Sequence, residues 1–241
     1  MPVSFLSLPA ELRNEIYTYL LICREPINPC HGGHELHPNI LFTNTAILHE
    51  ARALLYGHNC FDLTGESGHV SKFLDTIGSI NASHLQCIRI DFPSLGNLED
   101  EVSLEEGSLH ILEKIQLQCT NIRKLITDSE STNTMEVRLH LFDSPTIRAR
   151  ALALTAARFG AISSLQEIIV EVYEENLSSN IRREMESHGW ILKVVEPVEV
   201  KDWDVDRSWG DYEDDDYPSD DYDDDDYDID NDSDFWRRAA D

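Results

Sequence analysis

LQCIRIDF (85–92), SLHILEKIQLQC (108–119) and NIRKLITD (121–128) follow one another through the middle of the chain. The outer two contain short Ile-rich apolar runs of strand length, whereas the middle one repeats Leu and Ile at helical spacing. Strand, helix and strand in that order make a βα unit, and successive units of this kind favour a parallel sheet with right-handed crossovers. The fold class, α/β, is read from this stretch.

The same alternation extends both ways. Toward the C-terminus, MEVRLHLF (135–142) alternates apolar and polar residues and reads as a strand, and SPTIRARALALTAARFG (144–160) is helical with Gly160 as its stop. LQEIIVEVY (165–173) is a strand, NLSSNIRREMESHG (176–189) a helix and WILKVVE (190–196) a last strand. Toward the N-terminus, HVSKFLDTIGSI (69–80) is helical and CFDL (60–63) reads as a strand. LQCIRI and LQEIIV are alike, but their spacing is irregular, so the expected sheet is leucine-rich-like and largely parallel without being a regular solenoid.

Two helices precede this region. SFLSLPAELRNEIYTYLLIC (4–23) places Pro9 where a missing N–H costs nothing and Glu11 near the positive end of the helix dipole. Leu8, Leu12, Ile16 and Leu20 recur every four residues as one apolar stripe. EPINPCHGGHELHPN (25–39) is a loop by its prolines and glycines. In ILFTNTAILHEARALLYGHNCF (40–61), Thr43 or Asn44 can cap a helix whose Ile47, Ala51 and Leu55 share a face and which Gly57 can end. Packing the four stripe residues on that face would contribute roughly 1.5–3 kcal/mol each. The stripe is therefore expected to serve either the chain's own core or a partner.

These two segments resemble known sequences. LPAELRNEIYTYLL resembles the first helix of the F-box, which opens on Leu-Pro. ILFTNTAILHEARALLYGHNCF resembles the continuation found in fungal F-box-like proteins. The resemblance implies an F-box-like substrate-receptor adaptor of a cullin-RING ubiquitin ligase. It also implies docking onto a Skp-type adaptor through Leu8, Pro9, Leu12, Ile16 and Leu20. An ordinary F-box has a third helix, which is not evident here. The resulting division is an F-box-like helical segment (1–58), an α/β segment packed on it (59–198) and an acidic tail (199–241).

The chain carries a net charge of -27, and residues 199–241 hold 20 acidic and 4 basic side chains. Such a tail repels itself and has too few apolar residues to offset the entropy of ordering, so it is expected to be disordered. Tyr212, Tyr217, Tyr222 and Tyr227 recur in it every five residues, with Trp203 and Trp209 preceding them. Rings set among carboxylates can hold basic proteins by charge and stacking. The tail can equally be a solubilising segment, or dock on Arg148, Arg150 and Arg158 or on Arg182 and Arg183 of its own chain. The alternative to the ligase reading is a stand-alone interaction protein that uses helices 1–58 structurally and the tail for binding.

Other classes are disfavoured. The acidic surface repels phosphate backbones, so no nucleic-acid partner is expected. No signal peptide or membrane-length run is present, which points to a protein inside the cell, cytoplasmic or nuclear, with Cys23, Cys30, Cys60, Cys87 and Cys119 as reduced thiols. Cys23, Cys30, His31, His34 and His37 are of zinc-ligating type, but their spacing lacks a tight knuckle, and no metal is assigned. HEARA (49–53) has Ala53 where a zincin needs its second ligand, and GESG (65–68) lacks the spacing of a nucleophile elbow. No phosphate-binding or dinucleotide-binding glycine motif occurs. The expectation is a non-enzymatic protein-binding protein with no cofactor and an unidentified target.

Overall fold

The computed structural model describes residues 4–30, 36–65, 68–98, 101–142, 144–174 and 179–196. The helices are α1 (Ala10–Leu21), α2 (Thr45–His58), α3 (His69–Ala82), α4 (Glu106–Gln118), α5 (Ser129–Leu141), α6 (Pro145–Gly160) and α7 (Ser179–Ser187). The strands are β1 (Cys60–Asp62), β2 (Cys87–Ile90), β3 (Lys124–Thr127), β4 (Glu167–Tyr173) and β5 (Ile191–Val195). Each strand lies beside its predecessor, giving one five-stranded sheet in chain order. Every pairing is parallel, as expected where each return to the sheet runs through a helix.

Strand burial alternates with the pleat. Phe61, Ile88, Ile90, Leu125, Val170 and Val172 are buried and belong to one apolar core that runs from Tyr17 to Trp190. The neighbouring residues in β2 and β3, including Arg89, Lys124 and Ile126, are only partly covered. The sheet thus has a packed face and an open face. The outer edge of β1 is covered: Ile27 N–H donates to Cys60 O at 2.8 Å, and Asp62 N–H donates to Ile27 O at 2.7 Å. No described residue pairs with the outer edge of β5.

Residues 135–142 depart from the sequence reading, because they lie in or directly follow α5 and form no strand. Asp128 caps the helix by accepting from the N–H groups of Glu130 and Ser131 at 2.9 and 3.2 Å. Thr132, Met135, Glu136 and Leu139 are buried at helical spacing. Val137 and Leu141, whose alternation with Leu139 mimics a strand, are 54% and 80% exposed.

Two smaller differences concern helix ends. Gly57 lies buried within α2, and Asn59 follows the helix as its C-cap. At Gly78, φ is +75°, and this left-handed residue breaks α3 into two segments. Asn44, one of the two proposed caps, accepts from Ala46 N–H at 2.8 Å and starts α2.

Candidate interaction surfaces

A polar clamp fixes α1 on α2. Arg13 Nε donates to Glu50 Oε2 at 2.9 Å and Arg13 Nη2 to Oε1 at 2.6 Å, while Tyr17 OH donates to Oε2 at 3.0 Å. Arg13 Nη1 donates to Leu8 O at 2.6 Å, which ties the Leu-Pro entry to the same network. The guanidinium hydrogen bond holds the Glu50 carboxyl below its ordinary value against the opposing effect of burial. Burial, reinforced by Glu50, pushes the Tyr17 phenol up.

Asn59 closes both helices from below. Its Nδ2 donates to Leu21 O at 2.7 Å and to Leu55 O at 2.8 Å, and its Oδ1 accepts from Cys23 N–H at 2.8 Å. A single buried amide therefore satisfies carbonyls at the ends of α1 and α2, which have no intrahelical partner.

This packing decides which face of α1 turns inward. Tyr17 and Leu21 are the buried residues of the helix. At about 100° per residue, Leu12, Ile16 and Tyr19 lie on the far side from them. Tyr19 is 85% exposed and Leu12 45%, Pro9 is exposed, and Leu8, Ile16 and Leu20 are half-buried. Of the two roles left open for the Leu8–Leu20 stripe, its Leu20 end packs against the core, while the fully buried part of α1 is its Tyr17 and Leu21 face, tied to α2 through Arg13. Aliphatic spacing alone pointed to the other face, because the inward one is carried by an aromatic ring and an ion pair.

The open sheet face is organised around Arg89. Arg89 Nη1 donates to Asp62 Oδ2 at 2.7 Å, Nη2 to Asp128 Oδ1 at 2.5 Å, and Nε and Nη2 to Glu171 Oε2 at 3.0 and 2.9 Å. Lys193 Nζ donates to the other Glu171 oxygen at 2.8 Å. Glu171 is only 6% exposed, and the two cations explain how it can be. Beside them, the register aligns Ile126, Ile169 and Ile191 in one row with Asp62 and Arg89. A charged group and an apolar strip thus share this face.

At the C-terminal ends of β1 and β2 lies a cavity of about 390 Å³, with Leu63, Ile90, Leu112 and Met135 among its apolar walls and Asp91 and Arg138 among its polar groups. Burial raises the Asp91 carboxyl; the Gly65 N–H opposes this, and Asp128 and Asp62 add to it. Arg138 Nη2 is engaged by Gly96 O at 2.6 Å, and the Ser131 hydroxyl accepts from Phe92 N–H at 2.8 Å. Much of the polar lining therefore serves the loop that forms the cavity.

Sequence reading found α1 and its stripe. It missed Arg13, Tyr17, Glu50, Asn59 and the Arg89 group, whose roles depend on which segments meet in space. The residues proposed for the tail, Tyr212, Tyr217, Tyr222, Tyr227, Trp203 and Trp209, lie outside the described residues. So do His31 and His34 of the zinc-type loop. No group of three metal-capable side chains occurs among the described residues, and no helix of the described residues is long and apolar enough to cross a membrane. No known protein family, characterised protein or solved structure matches the chain.

Proposed function

We propose that the chain is a non-enzymatic protein-binding protein, an F-box-like substrate receptor that docks on the Skp-type adaptor of a cullin-RING ubiquitin ligase and presents a leucine-rich-like sheet face to a target. The observation that carries this reading is the division of labour on α1. Its core contacts are made by Tyr17, Leu20 and Leu21 and its clamp to α2 by Arg13, so Leu12 and Tyr19, with the half-buried Leu8 and Ile16, remain available to a partner. Contiguous exposed apolar side chains of this kind mark interaction sites. Parallel strands in chain order, with a mixed charged and apolar open face, support a separate target surface.

The test is calorimetric titration of the full chain with a Skp-type adaptor, repeated with Leu12→Asp and Tyr19→Asp. The expected result is micromolar or tighter binding, lost in variants whose circular dichroism and melting are those of the parent. Absence of binding by the parent, or binding that both variants retain, overturns the adaptor reading. The stand-alone reading, with helices 1–58 structural and the tail engaging basic proteins, then takes its place.

A further inference from the structure

The register that builds the sheet sets Cys60 directly opposite Cys87 on adjacent parallel strands, with Cα atoms 4.5 Å apart and the sulfurs joined as a disulfide. This corrects the expectation of five reduced thiols. Neither cysteine is fully buried. Both lie in a cleft of about 470 Å³ at the opposite end of the strands from the Asp91 cavity.

The surroundings of this pair run against the charge of the whole protein. Arg24, Arg123 and Lys124 line the same cleft with Glu25, and Lys124 Nζ pairs with Glu167 at 2.9 Å. Arg24 and Arg123 are exposed and have no ion-pair partner among the described residues. Cations beside a sulfur favour its thiolate, the form that attacks and leaves in thiol–disulfide exchange. They also attract an anionic reagent. A sulfur pair in one cleft with two guanidinium groups that have no ion-pair partner among the described residues is a site for a small thiol that carries carboxylates.

We propose that Cys60 and Cys87 form a redox couple operated by an anionic low-molecular-weight thiol that docks on Arg24 and Arg123. In reduction, the thiolate of one reagent molecule attacks one protein sulfur, the Cys60–Cys87 bond breaks, and the other cysteine leaves as thiolate. A second reagent molecule resolves the mixed disulfide, so two protein thiols and one reagent disulfide result, with the two reagent protons ending on the cysteines. The reverse reaction consumes the reagent disulfide. Cys60 directly follows α2 and its Asn59 cap, whereas Cys87 opens β2. The oxidised couple therefore staples the end of the N-terminal helical pair to the sheet, and reduction leaves β1 held by backbone pairing and packing alone.

The experiment uses the full chain, oxidised with glutathione disulfide and mapped by differential alkylation and mass spectrometry. It is then reduced with glutathione or with its diethyl ester, which has the same thiol and no carboxylates. A Cys60–Cys87 linked peptide is expected, with reduction by the acid about tenfold faster than by the ester. The gap should fall below about twofold in the Arg24→Gln, Arg123→Gln double variant, and raised salt should narrow it in the unmodified protein. The oxidised chain should melt roughly 5–10 °C above the reduced one, a difference absent from the Cys60→Ser, Cys87→Ser double variant. Failure to form the linked peptide, an acid-to-ester ratio below about threefold, or a ratio unchanged in the arginine variant overturns the proposal. A melting difference that persists in the serine variant overturns the staple.

Discussion

Arg13 holds Glu50 through two nitrogens, Nε and Nη2, each on a different carboxylate oxygen, and so joins the second turn of α1 to the middle of α2. The planar fork of the guanidinium matches the carboxylate, and lysine cannot reproduce the pair. Because the pair fills the inward face of α1 together with Tyr17 and Leu21, Leu12 and Ile16 are left on the other side.

The pair makes stability depend on pH in a defined direction. Glu50 has a lower carboxyl value in the fold than its ordinary one, so its contribution is present above the ordinary value and is lost as pH falls through the lowered one. Glu50→Gln removes that contribution. The expected outcome is a lower urea midpoint for the variant at pH 7, with the two proteins converging as pH falls below the lowered carboxyl value.

Asp91 has the opposite sign. Its folded value is raised by burial, so the fold disfavours its ionised form, and the penalty develops as pH rises through the ordinary value and is complete above the raised one. Asp91→Asn is expected to raise the urea midpoint at neutral pH and to leave it unchanged below the ordinary carboxyl value. A variant less stable at neutral pH would show that the carboxylate has a structural role that outweighs its burial.

The two faces of α1 should separate in stability measurements. Leu21 is completely buried, and Leu21→Ala should cost about 2–5 kcal/mol. Leu12→Ala, on the outward face, should stay within about 0.5 kcal/mol of the parent. Chemical denaturation of the two variants checks both.

Asn59→Ala removes three hydrogen bonds around one buried amide and leaves the carbonyls of Leu21 and Leu55 without their side-chain donor. A loss of about 2–4 kcal/mol is expected. Asn59→Asp should also destabilise, since a carboxylate can accept from Cys23 N–H but cannot donate to either carbonyl.

Arg89→Leu should cost about 2–4 kcal/mol, because it leaves Asp62, Asp128 and the nearly buried Glu171 facing one another. This spans the lower end of the roughly 3–5 kcal/mol range for breaking a buried pair and extends below it, since Arg89 keeps some exposure to solvent. Adding Glu171→Leu to it should recover part of the loss, and a double-mutant cycle in urea measures the coupling.

The alternation of helix and single strand in residues 60–128 made the α/β class readable, because period-2 and period-3.6 patterns rarely coincide over such lengths. They do coincide at Val137, Leu139 and Leu141, and there a strand was expected where α5 stands. Asp128 was the cue for the helix, but it stands at the end of the strand segment NIRKLITD (121–128), which hid its capping role. The inward face of α1 was not legible for a related reason: Leu and Ile carry the visible periodicity, whereas Arg13 and Tyr17 become part of an inward face only once Glu50 is opposite them. The Cys60–Cys87 pairing depends on the register of β1 against β2, a relation between distant segments that no local pattern encodes. The Arg89 group depends in the same way on the register of four strands.

Ile27 gives the sheet a direction of growth. With the outer edge of β1 occupied by that single bridge, a further strand can join there only by displacing it, whereas no described residue pairs with the outer edge of β5 from Ile191 to Val195, where an arriving strand can add. The assembly therefore behaves as a stack sealed at one end. Extra βα units inserted after Val195 should lengthen it without disturbing the helical cap, and strand exchange between two copies should begin at the same end.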